Sequence, residues 1–407
     1  MGEAFLHLDI NNFYASVECR ERPDLDGLPV AVAGSPEKRH GVVLAKNQIA
    51  KGYGVKTGDT VWEAQLKAPG IVFLPPRFDK YDKISKRMFG ICNDFTCYVE
   101  PFGPDECWLD CTQTLHMFGS GEYIADRLRE RVKAELGITA SVGVSFTKMF
   151  AKLGSDMKKP DGTTVITQND FRTKVWPLAT KELCGVGRHT EEKLERINIR
   201  TIGELANADE RVLKKLLGKP GVDLRRIARG EDTGDVREAV VKPDAKSIGH
   251  GLTALRDLVT RDDIAALVCY LSELVAARMR KSGVKAKGIY IGVRSTELVR
   301  ESRQRVLPEA VHSSTDISDA CMALLDTFHD GKPLRSLDVG VFALSPADAP
   351  RQLSFFEDSG HARNEALDKA IDKLRLKYGK RSVLRACLLE QDIYRDKDVG
   401  DFLPFKR

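Results

Sequence analysis

Acidic residues at the ends of apolar runs constrain this chain more than any other feature. Phe5-Leu6-His7-Leu8 closes on Asp9, and Asp105-Glu106 sits in a Gly103-Pro104 turn between two further strand-like runs. Strand ends and tight turns bring such side chains to the corner of a sheet, where their oxygens can gather. Gathered anionic oxygens are the ligands that hard divalent cations require. A pair of such cations, about 4 Å apart, can activate a hydroxyl and stabilise the leaving oxygen of a displacement at phosphorus.

The order of the surrounding elements permits the gathering. Phe5–Ile10 reads as a short buried strand, and Asn12–Arg20 as the start of a helix capped by Asn11 or Asn12. Residues 28–34 and 41–45 are apolar and β-prone, and the basic segment Lys46-Asn47-Gln48-Ile49-Ala50-Lys51 follows. Tyr81, Ile84, Met88 and Ile91 give helical spacing over 79–94, as do Ile124, Leu128, Val132 and Leu136 over 121–136. Between them Cys97–Phe102 and Cys107–Cys111 make a hairpin around the acidic turn, and Ile138–Ser145 alternates as a strand. Strand, helix, strand, strand, helix, strand is the split βαβ, ferredoxin-like plan. In that plan Asp9 and the hairpin acids lie on neighbouring central strands.

From about residue 167 the pattern changes to short helices. Leu183-Cys184-Gly185-Val186-Gly187, followed by Leu194, Ile199, Ile202 and Leu205, has the look of a helix-hairpin-helix, or of a plain glycine turn between packed helices. In the first case Gly185 and Gly187 let backbone N–H groups approach a phosphate closely. Residues 234–246 read as a linker. Beyond it, Thr260–Lys281 is a capped amphipathic helix flanked by strand patterns at 246–253, 287–294, 299–306 and 337–344, a second α+β unit. Pro346 and Pro350 then lead to a tail with a charged helix at about 361–377.

A chain of 407 residues exceeds one ordinary core, and 42% hydrophobic with 30% charged residues excludes a disordered one. No stretch approaches the roughly 20 apolar residues of a membrane span, and the N-terminus has no secretory pattern, so the expected location is the cytoplasm. Nine cysteines are scattered without the two-residue spacing of zinc knuckles and read as buried thiols. Net charge is only +5, but residues 278–305 hold nine Lys/Arg against Glu297 and Glu301, a local +7 that favours a polyanion.

The residues beside the acids narrow the reading further. Asn12-Phe13-Tyr14-Ala15-Ser16-Val17-Glu18 after Asp9, and Cys107-Trp108-Leu109-Asp110 after Glu106, resemble the Y-family (translesion) DNA polymerases, in particular the bacterial DNA polymerase IV branch. The resemblance implies a multidomain α+β right hand. Its parts would be a ferredoxin-like palm at 1–10 and 75–166, small fingers at 11–74 and a helical thumb with helix-hairpin-helix at 167–233. A linker at 234–242, an α+β little finger at 243–345 and a tail at 346–407 would complete it. It also implies low-fidelity, template-directed addition of deoxynucleotides to a primer 3′ end, past damaged bases.

By the same resemblance Asp9 and Asp105 bridge two Mg²⁺ ions, Glu106 completes the catalytic site and the Ile10 carbonyl adds a ligand. Phe13 and Tyr14 lie at the nucleotide, Tyr14 as the aromatic gate under the sugar, and Gln48, Lys51 and Lys159 are candidates for holding the triphosphate. Lys159 belongs to Ser155-Asp156-Met157-Lys158-Lys159-Pro160-Asp161-Gly162, close to the family's palm motif. Lys51 stands where an arginine is usual and so loses the bidentate fork. Gln48 replaces a tyrosine, Ala45 a hydroxyl residue, Asn11 a frequent second aspartate and Gly103-Pro104 the usual Ser-Ile. Arg294, Arg300, Arg303 and Arg305, with Gly185 and Gly187, would meet primer–template DNA. Gln352, Leu353, Phe355 and Phe356, in Gln352-Leu353-Ser354-Phe355-Phe356, are similar to a sliding-clamp docking peptide. A monomer is expected, without coiled coil or repeat. A non-catalytic DNA-binding scaffold of a mutagenic complex should have lost carboxylates, and a nucleotide cyclase or metal nuclease on a similar palm leaves the thumb hairpin and basic stripe unexplained.

Overall fold

The computed structural model describes residues 4–35, 41–231, 234–236, 245–349, 360–379, 382–389 and 392–394. These fall into two compact units, the first ending within the linker and the second beginning at residue 243.

In the first unit the strands are β1 (Phe5–Ile10), β2 (Val30–Ala33), β3 (Val43–Lys46), β4 (Val72–Leu74), β5 (Val99–Pro101), β6 (Glu106–Asp110), β7 (Ala140–Ser145) and β8 (Thr163–Ile166). They form a five-stranded sheet, β5-β6-β1-β7-β8, and a three-stranded sheet, β3-β2-β4. The central β1 is antiparallel to both β6 and β7, while β8 joins β7 in parallel. With helices Phe78–Asn93 and Gly121–Leu136, the first four of these strands realise the split βαβ order expected from the sequence.

Successive strand residues point to opposite faces. Leu6, Leu8 and Ile10 therefore join Cys107 and Leu109 in a core with Tyr81, Ile84, Met88, Ile124, Leu128 and Val132. Each fully buried aliphatic side chain contributes about 1.5–3 kcal/mol. Phe5 and Trp108 point the other way, toward Ala151.

The sequence reading overlooked the element on that second face, helix Lys148–Met157. Thr147 caps it, its side chain accepting from Phe150 N. The helix meets the sheet through small residues, Ala151, Gly154 and Ser155. Contact is close enough that a Cβ added at Gly143 would stand 1.9 Å from the Ala151 carbonyl oxygen. Phe150 and Leu153 face the helical segment instead.

The caps expected of Asn11 and Asn12 are absent. Asn12 has φ 51 and makes no side-chain cap on helix Phe13–Cys19. The Asn11 side chain is engaged elsewhere: Oδ1 accepts from Asp161 N at 2.8 Å, and Nδ2 donates to Ser141 Oγ at 2.9 Å. The basic segment folds as a short helix, Gln48–Gly52, capped by Asn47. Short helices between Phe171 and Ala228 enclose Leu183, Val186, Leu194, Ile199, Ile202 and Leu205.

The second unit contains β9 (Ser247–Leu258), β10 (Val284–Ser295), β11 (Arg300–Val311) and β12 (Leu334–Pro346) in the antiparallel order β11-β10-β12-β9. Its core takes in helix Arg261–Lys281 and a helix the sequence reading did not foresee, Ser314–Leu325, capped by Ser313. The terminal helix Gly360–Tyr378 packs into this unit. Arg280 pairs with Asp368 at 2.8 Å and Asp372 at 2.6 Å, and Ser314 N donates to Asp368 at 2.7 Å. Farther along, Leu388 and Ile393 are buried, Leu255 N donates to Ile393 O at 3.0 Å, and Tyr394 stacks on Tyr270 with centroids 4.0 Å apart. Among the described residues no helix is long and apolar enough to cross a membrane.

The Gly143 contact is testable by a pair of substitutions. Gly143→Ala should cost about 3 kcal/mol or more, because backbone must move to admit the methyl group. Gly90→Ala, inside helix Phe78–Asn93 with nothing within 4 Å of the added Cβ, should stabilise by about 0.5–1 kcal/mol. Thermal melting of both proteins checks the sign of each change.

Candidate active site

Strand register assembles the acidic corner. In the β1–β6 ladder Asp9 is paired with Glu106, and Ile10 N donates to Asp105 O at 2.9 Å. Phe102 N and Gly103 N both donate to Glu106 O, at 3.0 and 3.2 Å, which folds the turn tightly. A Cβ at Gly103 would stand 3.2 Å from both Asp105 Oδ1 and Glu106 Cγ, so the glycine keeps the two acids uncrowded. The two-residue period places Asp9 and Glu106 on the same face as His7 and Trp108, the face covered by helix Lys148–Met157.

Burial and mutual repulsion dominate the electrostatics. Asp105 is pushed up to about 7 by burial and by the neighbouring charges of Asp9 and Glu106. Asp9 is also raised by burial, against the opposing pull of Lys159. Burial would raise Glu106 as well, but His7 and Lys152 outweigh it and bring the carboxyl down to about 2. Lys159 Nζ lies 2.8 Å from Asp9 Oδ2 and 2.8 Å from Asp156 Oδ1, and Lys152 Nζ lies 2.5 Å from Glu106 Oε2.

These ammonium groups satisfy two of the three acids. Among the described residues no three acidic, histidine or cysteine side chains converge as a ready-made metal cage. The donor set nonetheless suits a hard cation. It consists of carboxylates, and Asp105 is held up first by burial and then by the negative charge of Asp9 and Glu106, which a divalent ion would relieve.

Lys152 and His7 were missed from sequence, while Ser155, Asp156 and Asn11, already singled out there, take contacts that sequence did not show. Beside Lys152, the fully buried His7 stands with Nδ1 2.9 Å from Ser155 Oγ and Nε2 3.4 Å from Glu106 Oε2. Burial lowers His7 to about 4. Lys152 lies at helical spacing from Ser155 and Asp156, and that face would have revealed it had the helix been recognised. Asn11 ties the Lys159-bearing loop to β7 through its bonds to Asp161 N and Ser141 Oγ.

Tyr14 lies beside this corner. Its ring stacks on Tyr81 with centroids 4.2 Å apart and an interplanar angle of 13°, and Phe78 meets it edge-on. Burial, then the charge of Asp105, pushes the Tyr14 phenol up to about 12. Tyr81 in turn donates to Glu18 at 2.8 Å, and Glu18 also accepts from Arg77. Phe13 is buried against Tyr81 in the core, and Ile10 is buried too. Gln48 and Lys51 are exposed on their short helix, with no hydrogen bond or ion pair to the acids. Lys51 instead neighbours Lys46, whose ammonium is held low by burial and by the charge of Lys51.

Gly185 adopts φ +95, and Gly187 precedes helix Arg188–Glu195 with nothing within 4 Å of a built Cβ. In the second unit the four arginines are divided. Arg294 and Arg300 are direct cross-strand partners, whereas Arg303 and Arg305 pair with the buried Ile291 and Ile289 and so point to the other face of β11. Arg303 lies over the Phe328 ring, 5.1 Å from its centroid. Gln352, Leu353, Phe355 and Phe356 lie outside the described residues.

The position of Asp105 yields a signed pH dependence. Its folded pKa lies above the unfolded value, so the metal-free fold loses stability as pH rises through the range from 3.8 to about 7. Asp105→Asn should therefore melt higher than the parent at pH 8, with the gap closing toward pH 4. Melting curves recorded in chelator check this, and an equal gap at both pH values would contradict it.

Comparison with known proteins agrees along most of the chain. The impB/mucB/samB family matches residues 8–156, its C-terminal domain matches 245–355, and the DNA polymerase-iota thumb domain matches 181–232. A DNA polymerase IV of Acetivibrio thermocellus is 45% identical over 392 residues, covering 96% of this chain and 98% of the relative. A DNA polymerase IV of Moorella thermoacetica is 40% identical, covering 95% and 96% respectively. The solved Y-family DNA polymerase chimera Dbh-Dpo4(243-245)-Dbh has the same fold, with a TM-score of 0.74 at 22% identity over 84% of this chain and 98% of its own. The chain belongs to the Y family of DNA polymerases, in its DNA polymerase IV branch, and is a DNA-directed translesion polymerase.

Proposed function

We propose that Asp9, Asp105 and Glu106 are the catalytic carboxylates of this polymerase. The observation that carries the assignment is the β1–β6 register, which sets Asp9 opposite Glu106 with Asp105 bonded to the adjoining backbone. Y-family polymerases depend on metal; here Asp9, Asp105, Glu106 and the Ile10 carbonyl would hold two Mg²⁺ ions. Bound there, the ions would supply activation of the primer 3′-hydroxyl and neutralisation of charge at the α-phosphate.

The remaining work falls to the chain itself. Lys159 would leave Asp9 for the incoming triphosphate, with Lys51 and Gln48 contributing from the fingers. Lys152 and His7 hold Glu106 in place. Tyr14, backed by Tyr81 and Phe78, forms a rigid wall against which a 2′-hydroxyl would collide. Phe13, being buried, would act by fixing Tyr14. Arg294 and Arg300 would grip phosphates from one face of the sheet, Arg303 and Arg305 from the other face of its edge strand, with Gly185 and Gly187 adding backbone contacts. Such contacts carry no sequence preference, as template-directed copying requires.

The domain limits inferred from sequence are retained for palm, fingers and thumb. Residues 352–356 would dock on a sliding clamp, and the protein would act as a cytoplasmic monomer. A small fingers region would leave the nascent pair loosely enclosed, which supports low fidelity and passage of distorted bases.

Primer extension tests the assignment. Asp105→Asn should lower kcat at least 10³-fold and leave primer–template affinity within about twofold, as expected for groups acting in the transition state. Lys159→Ala should act mainly through KM for the nucleotide, raising it about tenfold. Undiminished extension by Asp105→Asn in Mg²⁺ would remove the acid from the mechanism. Tyr14→Ala should raise ribonucleotide incorporation at least 100-fold relative to deoxynucleotide, and an unchanged sugar preference would exclude the gate.

A further inference from the structure

Two of the nine cysteines meet at an accessible place in the second unit. Cys269 lies on helix Arg261–Lys281 and Cys387 in the turn Ala386–Leu388, with their Sγ atoms 3.7 Å apart. Cys387 is exposed and Cys269 half-buried. Both line an open cavity of about 700 Å³, which also receives Asp319, Met322 and Arg385. The turn is anchored on each side of Cys387. Arg385 pairs with Glu273 at 2.9 Å and donates to Ser314 Oγ at 2.7 Å, while Leu388 is only 3% exposed.

We propose that Cys269 and Cys387 are a reversible redox pair, oxidised to a disulfide by low-molecular-weight disulfides that enter through this cavity. An S–S bond of roughly 2.0 Å requires the sulfurs to approach by about 1.7 Å, a movement within reach of side-chain rotation at two adjacent cysteines. The exposed Cys387 thiolate attacks one sulfur of the oxidant, forming a mixed disulfide and releasing one thiolate. Cys269 loses its proton, attacks the Cys387 sulfur and expels the second thiolate. Two cysteine thiols are thereby oxidised, and one small disulfide is reduced to two thiols. The exposure of Cys387 assigns it the first attack, and burial, which pushes the half-buried Cys269 thiol up to about 12, agrees with that order.

A second pair of cysteines supplies the contrast. Cys92 and Cys107 also stand with sulfurs 3.7 Å apart, but both are fully buried in the first unit. An oxidant has no route to them in the folded protein. Access, rather than sulfur separation, distinguishes the two pairs. The bond would fasten the turn Ala386–Leu388 to helix Arg261–Lys281, across a sequence separation of 118 residues.

The full-length protein is titrated with oxidised glutathione, then examined by intact mass and by peptide mapping without reduction. The expected result is a loss of about 2 Da, a linked Cys269–Cys387 peptide and a melting temperature raised by about 5 °C. All three should revert with a dithiol reductant and be absent from Cys387→Ser. Stable glutathione addition at Cys387 without a linked peptide would overturn the proposal. So would preferential linkage of Cys92 to Cys107, or an unchanged mass. The mapping is made on the parent protein, so its outcome does not depend on the variant folding.

Discussion

The acidic corner depends on the register in which β1 is held between β6 and β7. One residue of slip would turn Leu6, Leu8 and Ile10 toward helix Lys148–Met157 and drive His7 and Asp9 into the aliphatic core. Packing of that core against helices Phe78–Asn93 and Gly121–Leu136 therefore fixes more than stability. It decides which face carries the carboxylates and aligns Asp9 with Glu106 in the ladder. The same register leaves Gly143 beneath Ala151, so that helix Lys148–Met157 approaches closely and delivers Lys152 to the acids.

Electrostatics at this corner work against the fold that creates them. Three carboxylates are crowded where water is scarce, and Asp105 registers the conflict with a pKa of about 7. Two ammonium groups and a neutral imidazole relieve part of it. Sites held in such tension are found where charge must be accepted during a reaction, and their repulsion is tolerated because the surrounding sheet is well packed. Beside the corner, Tyr14 stacks on Tyr81 and Glu18 accepts from Arg77.

Much of this was legible in residue order. The period of two in Phe5–Ile10 and the helical spacing through Tyr81–Ile91 and Ile124–Leu136 sufficed for the split βαβ plan, and the family likeness supplied the reaction. What escaped notice had physical reasons. Helix Lys148–Met157 is only ten residues long and turns small residues to the sheet while Phe150 and Leu153 serve another cluster, and Lys152 went unnoticed with it. Asn11 resembled a helix cap because local patterns cannot show that a side chain is already engaged by a loop 150 residues away. The arginine stripe looked continuous along the chain, but alternation on β11 divides it between two faces.

The contact between Lys159 and Asp9 has a consequence for how such a site fills. On the proposed assignment, an incoming cation does not enter a vacant nest but displaces a partner already bonded to its ligand. Filling is thus a substitution, and the displaced arm swings free where a polyphosphate must land. Metal and nucleotide would assist each other through this one side chain, without any rearrangement of the strands beneath.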